Sequence, residues 1–536
     1  MCAIINKYIY PLAIFVLTLT IASFFSVLGV DPHHHGIMFK PALDVAHGQM
    51  LFRDTFTQYG ALTTLLHAWA LRIFGDYLVV IQIETALFYG LISLLLYYLW
   101  LKILPQWLSV ASVLIWLLLA PYYRTLYTFL PWSSITALLF QTSSLLLVLH
   151  ALRKKNRFMM VLAGSVAVLT FWCRQPIGVF HCAALLFFLI TTPLINGNKW
   201  GKAITDCAFF SAGILVASAP FFIWLGLNGA FHDMYRQSIK GAFFFGSTTY
   251  QSETHTFLMN ILMALAAYEV KIDHFYTPWS LLPLVCLFVL VILIVKKWRN
   301  REGIVSVNLP LYGLLLVSMA SWMQYYPVPC LRHLYWAATP MIGVVSYGMW
   351  EFCRFIFAEK KRLRIISVFL ALVFLYKGQI ETNIFTGQIK LAIFKTRIEE
   401  PKVLRGMYTT PVSAAKYKTI SNSLNSAIAA NPRSCLVSLS SDALYLTFIG
   451  PQNNFHPMYI DWGRYNDFIY PNYKKIRDDF IYRKLPLILA TEGMNIPGWS
   501  CVDVFDVIDE NEKNNSYYGY ARKLALYRFN GHYETP

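Results

Sequence analysis

Residues 9–28 read IYPLAIFVLTLTIASFFSVL, and residues 29–60 continue GVDPHHHGIMFKPALDVAHGQMLFRDTFTQYG. The first stretch carries no charge and is twenty residues long, the length a helix needs to cross about 30 Å of hydrocarbon. It lacks a small-residue cleavage site and many apolar runs follow it, so it reads as a span and not as a removed signal. The second stretch begins at Asp31, directly at the end of that span, and changes character at once.

Ten further runs of similar kind follow. They are Tyr77–Leu101, Trp107–Pro121, Leu130–Leu149, Phe158–Cys173, Ile177–Ile195, Cys207–Leu227, Trp279–Val295, Leu309–Tyr325, Leu334–Phe357 and Leu363–Tyr376. With the N-terminus inside, the inner turns collect Lys102, the run Arg153-Lys154-Lys155-Asn156-Arg157, Lys199 with Lys202, the run 296–301, and Lys360-Lys361-Arg362 with Arg364. The short outer turns hold single arginines, Arg124, Arg174 and Arg332. This is the positive-inside pattern. Two shorter apolar stretches, Ala61–Phe74 and Phe257–Tyr268, must then stay outside as interfacial or re-entrant helices, because counting either as a span inverts the rule downstream.

Composition agrees. The 536-residue chain is 57% hydrophobic and only 14% charged, against about 25% charged in soluble domains. That excludes an ordinary cytosolic enzyme, a disordered chain and a coiled coil. The net charge of +17, from 45 basic and 28 acidic residues, sits between apolar runs, where membrane topology puts it, and does not point to nucleic acid. Nine cysteines without CxxC or Cys/His ligand spacing imply no zinc site.

After Tyr376 charges return and long apolar runs stop. Val412–Ala430 reads as an amphipathic helix, and Cys435–Ser440 and Leu485–Thr491 as short buried strands. The expected architecture is therefore a polytopic α-helical membrane protein with about eleven transmembrane helices over residues 1–380. Residues 381–536 are expected to form a C-terminal extracytoplasmic α/β soluble domain. The first outer loop covers 29–76 and a later one 228–278. Cys435 and Cys501 fall in the soluble part, where an oxidising compartment permits a disulfide and burial as free thiols is equally ordinary.

The first outer loop carries more polar chemistry than a turn needs: Asp31, His33, His34, His35, Lys40, Asp44, His47, Arg53, Asp54, Gln58 and Tyr59. Pro32, Gly36, Pro41, Gly48 and Gly60 are expected to break it into short helices lying along the membrane surface. A carboxylate at the hydrocarbon edge is partly desolvated, which raises its basicity; Asp31 reads either as such a base or as a loop cap. The three adjacent histidines point in different directions, so at most two can share an ion with Asp31, and no metal or other cofactor is expected. Arginines at the outer face run against the charge rule. They bind a phosphate or they snorkel.

An Asp closing the first span, a loop with Gly48…Phe52-Arg53-Asp54…Gln58-Tyr59-Gly60, many spans and a C-terminal outer domain together resemble the GT-C glycosyltransferases. That family includes protein mannosyltransferases, aminoarabinose lipid A transferases and O-antigen-modifying glucosyltransferases. The resemblance covers residues 1–380. It implies inverting transfer from a polyprenyl-phosphate sugar to an envelope glycan or lipid acceptor, such as O-antigen, at a bacterial inner membrane. It implies Asp31 as catalytic base, and the donor phosphate is expected among Arg124, Arg174, Arg332 and His333. Some relatives pair two acids, whereas Pro32 follows Asp31 here; Asp44 or Asp54 would have to substitute. Lys40, Arg53, Gln58 and Tyr59 complete the candidate site. Aromatics of 228–278, with Tyr459, Trp462, Tyr465 and Tyr470, either stack on an acceptor glycan or simply pack. No nucleotide-binding fingerprint occurs in a suitable context. A flippase or transporter, or a polymerase or ligase of lipid-linked glycans, is the competing reading. A flippase would use the same arginines without needing the carboxylate.

Overall fold

The computed structural model describes residues 2–120, 129–195, 200–241, 268–269, 274–275, 279–299, 308–325, 331–357, 359–430, 436–438, 442–450, 454–455, 487–491, 499–506 and 523–529. Over the described residues, each of the eleven apolar runs is helical for most of its length. In chain order these are α1 (Cys2–Ser26), α4 (Leu78–Trp100), α5 (Gln106–Leu118), α6 (Ser133–Lys154), α7 (Arg157–Cys173), α8 (Gln175–Ile195), α9 (Trp200–Leu227), α10 (Leu282–Arg299), α11 (Leu309–Trp322), α12 (Leu331–Ile356) and α13 (Lys361–Ile393). Two more helices, α2 (Pro32–Ala46) and α3 (Ala61–Phe74), fill the first loop.

Local chemistry sets the turns. Lys155 closes α6 in the left-handed region at φ 52°, and the Asn156 side chain then caps α7 by accepting from Met159 N–H at 3.0 Å. Within the bilayer, helices associate through close backbone approach at small residues. A Cβ on Gly164 would lie 1.9 Å from the Phe210 carbonyl oxygen, and one on Gly213 would lie 2.0 Å from that of Val161. Only hydrogen fits where α7 crosses α9.

Three expectations change. The last span is not short: α13 has 33 residues, about 50 Å at 1.5 Å per residue, and runs unbroken past residue 380. The first loop is not a string of surface fragments, because Pro32–Ala46 is one helix with Pro41 inside it, and residues 34–45 are all buried. Pro32 at the first turn costs nothing there, and enclosure overrides the weak propensities of Gly36 and Pro41. Gly36 is a contact point, not a break. A Cβ there would fall 2.3 Å from the Leu444 backbone nitrogen. Helix α3 keeps His67 and Leu71 buried and leaves Trp69, Ile73 and Phe74 exposed. The stretch Phe257–Tyr268 lies outside the described residues except for Tyr268.

The C-terminal region is α/β as expected. Helix α14 (Pro411–Ala430) leads into a mixed sheet of Leu436–Ser438 (β1), Asn454–Phe455 (β2), Leu487–Thr491 (β3), Trp499–Asp506 (β4) and Lys523–Phe529 (β5), ordered β2-β1-β3-β5-β4. The first three strands run parallel and β5 is antiparallel to both β3 and β4. This region does not stand apart from the first loop. Phe39 and Leu43 of α2 share one apolar cluster with Tyr417, Leu424, Leu444, Phe505 and Leu526. Tyr408 pairs with the chain just before Asp31, donating to Val27 O at 2.8 Å and accepting from Gly29 N–H at 2.7 Å. We expect Gly36→Ala to lower stability by about 1–3 kcal/mol, the usual cost of overpacking, with denaturant unfolding as the measurement and Ala42→Gly as a comparison without a clash.

Candidate active site at the end of the first span

Asp31 is the N-cap of α2, with φ −109° and ψ 107°. Its Oδ1 accepts from the backbone N–H groups of His33 at 3.0 Å and His34 at 3.1 Å. Its Oδ2 lies 2.5 Å from His34 Nδ1, and the residue is 1% exposed. Burial pushes this carboxyl up. Its partner His34, aided by His33 and His35, outweighs burial and holds it well below the usual carboxylate range.

Burial acts the other way on the imidazoles. His34 is pushed down to about 3, by burial first, against the pull of Asp31 and with a further push from Arg332. The neutral ring donates Nδ1–H to Asp31, so its Nε2 lone pair accepts from Arg332 Nη2 at 3.1 Å. Asp31, His34 and Arg332 thus form one buried chain of hydrogen bonds, joining residues 298 positions apart. His35, pushed down to about 4 by burial and by Lys390, accepts the Asp31 N–H at Nδ1, 2.9 Å away. Its proton is therefore on Nε2, 2.6 Å from the Gln82 amide, which must turn its oxygen toward it.

An aromatic wall adjoins this chain. Trp132 packs against His34 at 5.4 Å, Tyr59 at 5.3 Å and Trp336 at 6.4 Å between ring centroids. Trp336 in turn meets His333 at 5.8 Å. Beyond Tyr59 lies Arg174, its guanidinium 5.5 Å over the Tyr59 ring. Arg174 donates to Ser134 Oγ at 2.7 Å and to the Gln324 carbonyl at 3.4 Å.

Of the residues expected from the sequence, Asp31, Arg174, Arg332, His333 and Tyr59 come together here; Gln58 hydrogen-bonds the Tyr59 hydroxyl at 2.7 Å. The others serve the loop. Lys40 pairs with Asp44 inside the protein, and Thr55 Oγ1 donates to the same carboxylate at 2.7 Å. Arg53 and Asp54 form a partly exposed ion pair, with Arg53 also donating to the Asn228 carbonyl at 3.0 Å. Asp44 and Asp54 are thus engaged by Lys40 and Arg53 and do not supply a second acid beside Asp31. His33, His34 and His35 do not converge either: His33 and His34 meet edge to face, and His35 turns to Gln82. Arg124, Cys435, Tyr459, Trp462, Tyr465 and Tyr470 lie outside the described residues.

Two contributors were missed by sequence reasoning. Lys390, near the end of α13, is fully buried and faces His35 electrostatically. Its signal was a polar stripe, Asn383, Thr386 and Lys390, at helical spacing beyond the expected end of the last span. His67 bridges Glu84, at 2.7 Å, and the Pro131 carbonyl, at 3.2 Å, fixing the bend that presents Trp132.

No family model matches the chain, and no curated protein matches it. Solved structures do. The chain superposes on the crystal structure of ArnT from Cupriavidus metallidurans bound to undecaprenyl phosphate at TM-score 0.53 and 11% identity, covering 96% of this chain and 97% of that one. The chain shares the fold of that protein. It is also similar to the archaeal oligosaccharyltransferase AglB from Archaeoglobus fulgidus, in complex with an inhibitory peptide and a dolichol-phosphate, at TM-score 0.48 and 11% identity over 91% of this chain and 70% of that one. Within this fold, the Asp31 cluster lies at the end of the first apolar helix, with α2 packed against the C-terminal region.

The histidines set a pH dependence of stability. An unfolded histidine binds a proton near 6.5, whereas folded His34 and His35 do so only near 3 and 4. Below about pH 6.5 the unfolded chain binds more protons, so stability falls as pH drops. Melting temperature should fall by a few degrees between pH 7 and pH 5, and by less in a His34→Asn, His35→Asn variant.

Proposed function

We propose that the protein is an inverting glycosyltransferase. It moves a sugar from a polyprenyl-phosphate donor to an envelope glycan or lipid acceptor, such as O-antigen, on the extracytoplasmic face of a bacterial inner membrane. The observation that carries this reading is the buried Asp31–His34–Arg332 chain at the end of the first span, in a fold shared with a protein bound to undecaprenyl phosphate. A carboxylate and a guanidinium joined through one imidazole suit a reaction that needs a proton acceptor and an anion-stabilising cation close together.

In this reaction the acceptor hydroxyl attacks the anomeric carbon from the face opposite the phosphate. The carbon–oxygen bond to phosphate breaks and its electron pair leaves with the phosphate, whose growing charge Arg174 and Arg332 stabilise, with His333 beside them. The hydroxyl proton goes to Asp31. An ionised, weakly basic carboxylate suffices, because the hydroxyl becomes acidic only as its bond to carbon forms. His34 holds Asp31 and Arg332 in register. Residues 1–380 carry the chemistry and 381–536 help to hold the acceptor.

The test is transfer by the purified protein from undecaprenyl-phosphate hexoses to an O-antigen-bearing lipid, read as release of undecaprenyl phosphate. Absence of transfer from every donor, with donor translocation in vesicles, would replace this reading by a flippase. The side is checked separately. Cysteines placed at Asp76 and Lys418 should react with an impermeant thiol reagent from outside intact cells, and one at Lys155 should not.

A further inference from the structure

The site holds polar groups that the proposed mechanism does not use. Among the described residues, the Trp132 indole N–H, the Ser133 hydroxyl and both amide atoms of Gln324 have no hydrogen-bond partner. All three side chains are deeply buried, Trp132 at 4% exposure, Ser133 at 0% and Gln324 at 1%. They are neighbours of one group: Arg174 binds Ser134, next to Ser133, and the Gln324 backbone carbonyl, and meets Trp132 through Tyr59. Buried polar atoms are nearly always satisfied, and each exception calls for water, an ion or a ligand. Donors and acceptors thus gather around Arg174, and one of them, the Trp132 indole, belongs to the aromatic wall that leads to the Asp31–His34–Arg332 chain.

We infer that Trp132, Ser133 and Gln324 form the subsite for the transferred sugar, and that this sugar is a neutral polyhydroxylated ring. The inference rests on the reading of the protein as a lipid-linked sugar transferase. A hydroxyl both donates and accepts, so it can satisfy an indole N–H, a serine and an amide. An apolar sugar face lies well against indole and phenol rings. The subsite then sits beside Arg174, which takes the phosphate, with the anomeric carbon toward Asp31.

Charge sets the class. The ionisable groups on this wall are Arg174, His34, Arg332, His333 and Asp31. Asp31 already accepts three hydrogen bonds, from His33 N–H, His34 N–H and His34 Nδ1. The other carboxylate at this end, Glu84, stands behind Trp132 and is taken up by His67 at 2.7 Å. A protonated amino group on the sugar would be buried among cations without a counter-charge, which is costly.

The experiment measures binding of undecaprenyl phosphate, its neutral hexosyl derivatives (glucosyl, mannosyl and galactosyl) and an aminohexosyl derivative to the full-length detergent-solubilised protein. The variants are Trp132→Phe, which keeps an aromatic face and removes the N–H, and Gln324→Met, which keeps the volume and removes the amide. Wild type should bind at least one neutral hexosyl lipid about tenfold more tightly than the bare lipid phosphate, and the aminohexosyl lipid no more tightly than the bare one. Each variant should bind the bare lipid as wild type does and lose about 3- to 10-fold of the sugar's contribution, the scale of one hydrogen bond. Gln324→Met should leave the melting temperature of the lipid-free protein unchanged or raised, because it removes an unsatisfied amide. Variants that keep the full sugar contribution, or that lose both lipids alike, would overturn the subsite. A preference for the aminohexosyl lipid would overturn its class. Failure of wild type to bind any of these lipids would overturn the transferase reading itself.

Discussion

Asp31→Asn is expected to lower sugar transfer by about 10³-fold while leaving the protein inserted and folded. The two halves of this expectation have separate causes. As a helix cap, asparagine is as good as aspartate, and its side-chain oxygen can still accept the His33 and His34 backbone N–H groups now 3.0 and 3.1 Å from Asp31 Oδ1. What the substitution removes is the negative charge and the capacity to take a proton, a contribution of about 10²–10⁴ in rate for general base catalysis. Initial rates of undecaprenyl phosphate release, with melting curves on the same preparations, separate the two. Retention of more than about a tenth of the rate would mean that Asp31 is only the cap of α2. Activity of the wild type should show no acid limb between pH 6 and pH 8, because the Asp31 carboxyl is held below the usual range and His34 near 3.

Arg332→Ala is expected to cost about 2–5 kcal/mol in kcat/KM, the usual loss when a buried charged partner is removed from its counter-charge. Its guanidinium is buried and reaches His34 Nε2 at 3.1 Å, so the change acts twice. Donor phosphate loses a cation, and His34 loses the positive neighbour that helps keep it neutral. His34 should then take up a proton more readily and an acid limb should appear in the pH–rate profile. Arg332→Lys should restore little, because an ammonium is a point charge and cannot meet both the imidazole and a phosphate in fixed planar geometry. A variant with unaltered donor KM and an unaltered profile would remove Arg332 from the site.

The outcome at the first loop shows why some of this was legible and some was not. Asp31 could be picked out because a carboxylate at the last turn of an apolar run is anomalous in one dimension. The arginines could be picked out because they break the charge rule. Lys40, Asp44, Arg53 and Asp54 share the loop and the same residue types, yet the ion pair of Lys40 and Asp44 ties α2 to Thr55 and that of Arg53 and Asp54 ties the loop to Asn228. Nothing in residue type separates a structural ion pair from a catalytic one; only the neighbours do. Gly36 and Pro41 read as breaks because propensity is local, and they lie inside α2 because that helix is enclosed on all sides.

By itself, then, the sequence determined the membrane architecture. Hydrocarbon is a uniform solvent about 30 Å thick, so the apolar helices that cross it follow from run length, a property of a linear string. It also determined which polar residues are exceptional against that background. Tertiary structure alone decided which of them meet. Lys390 faces His35 from 355 positions away, and Trp132 is fixed by His67 and flanked by Tyr59 and Trp336. Those contacts arise because helices separated in sequence pack side by side and the soluble region clamps the chain at Val27 and Gly29. Protonation states follow the same rule: the neutrality of His34 and the ionisation of Asp31 come from burial and from partners, which no linear order of residues specifies.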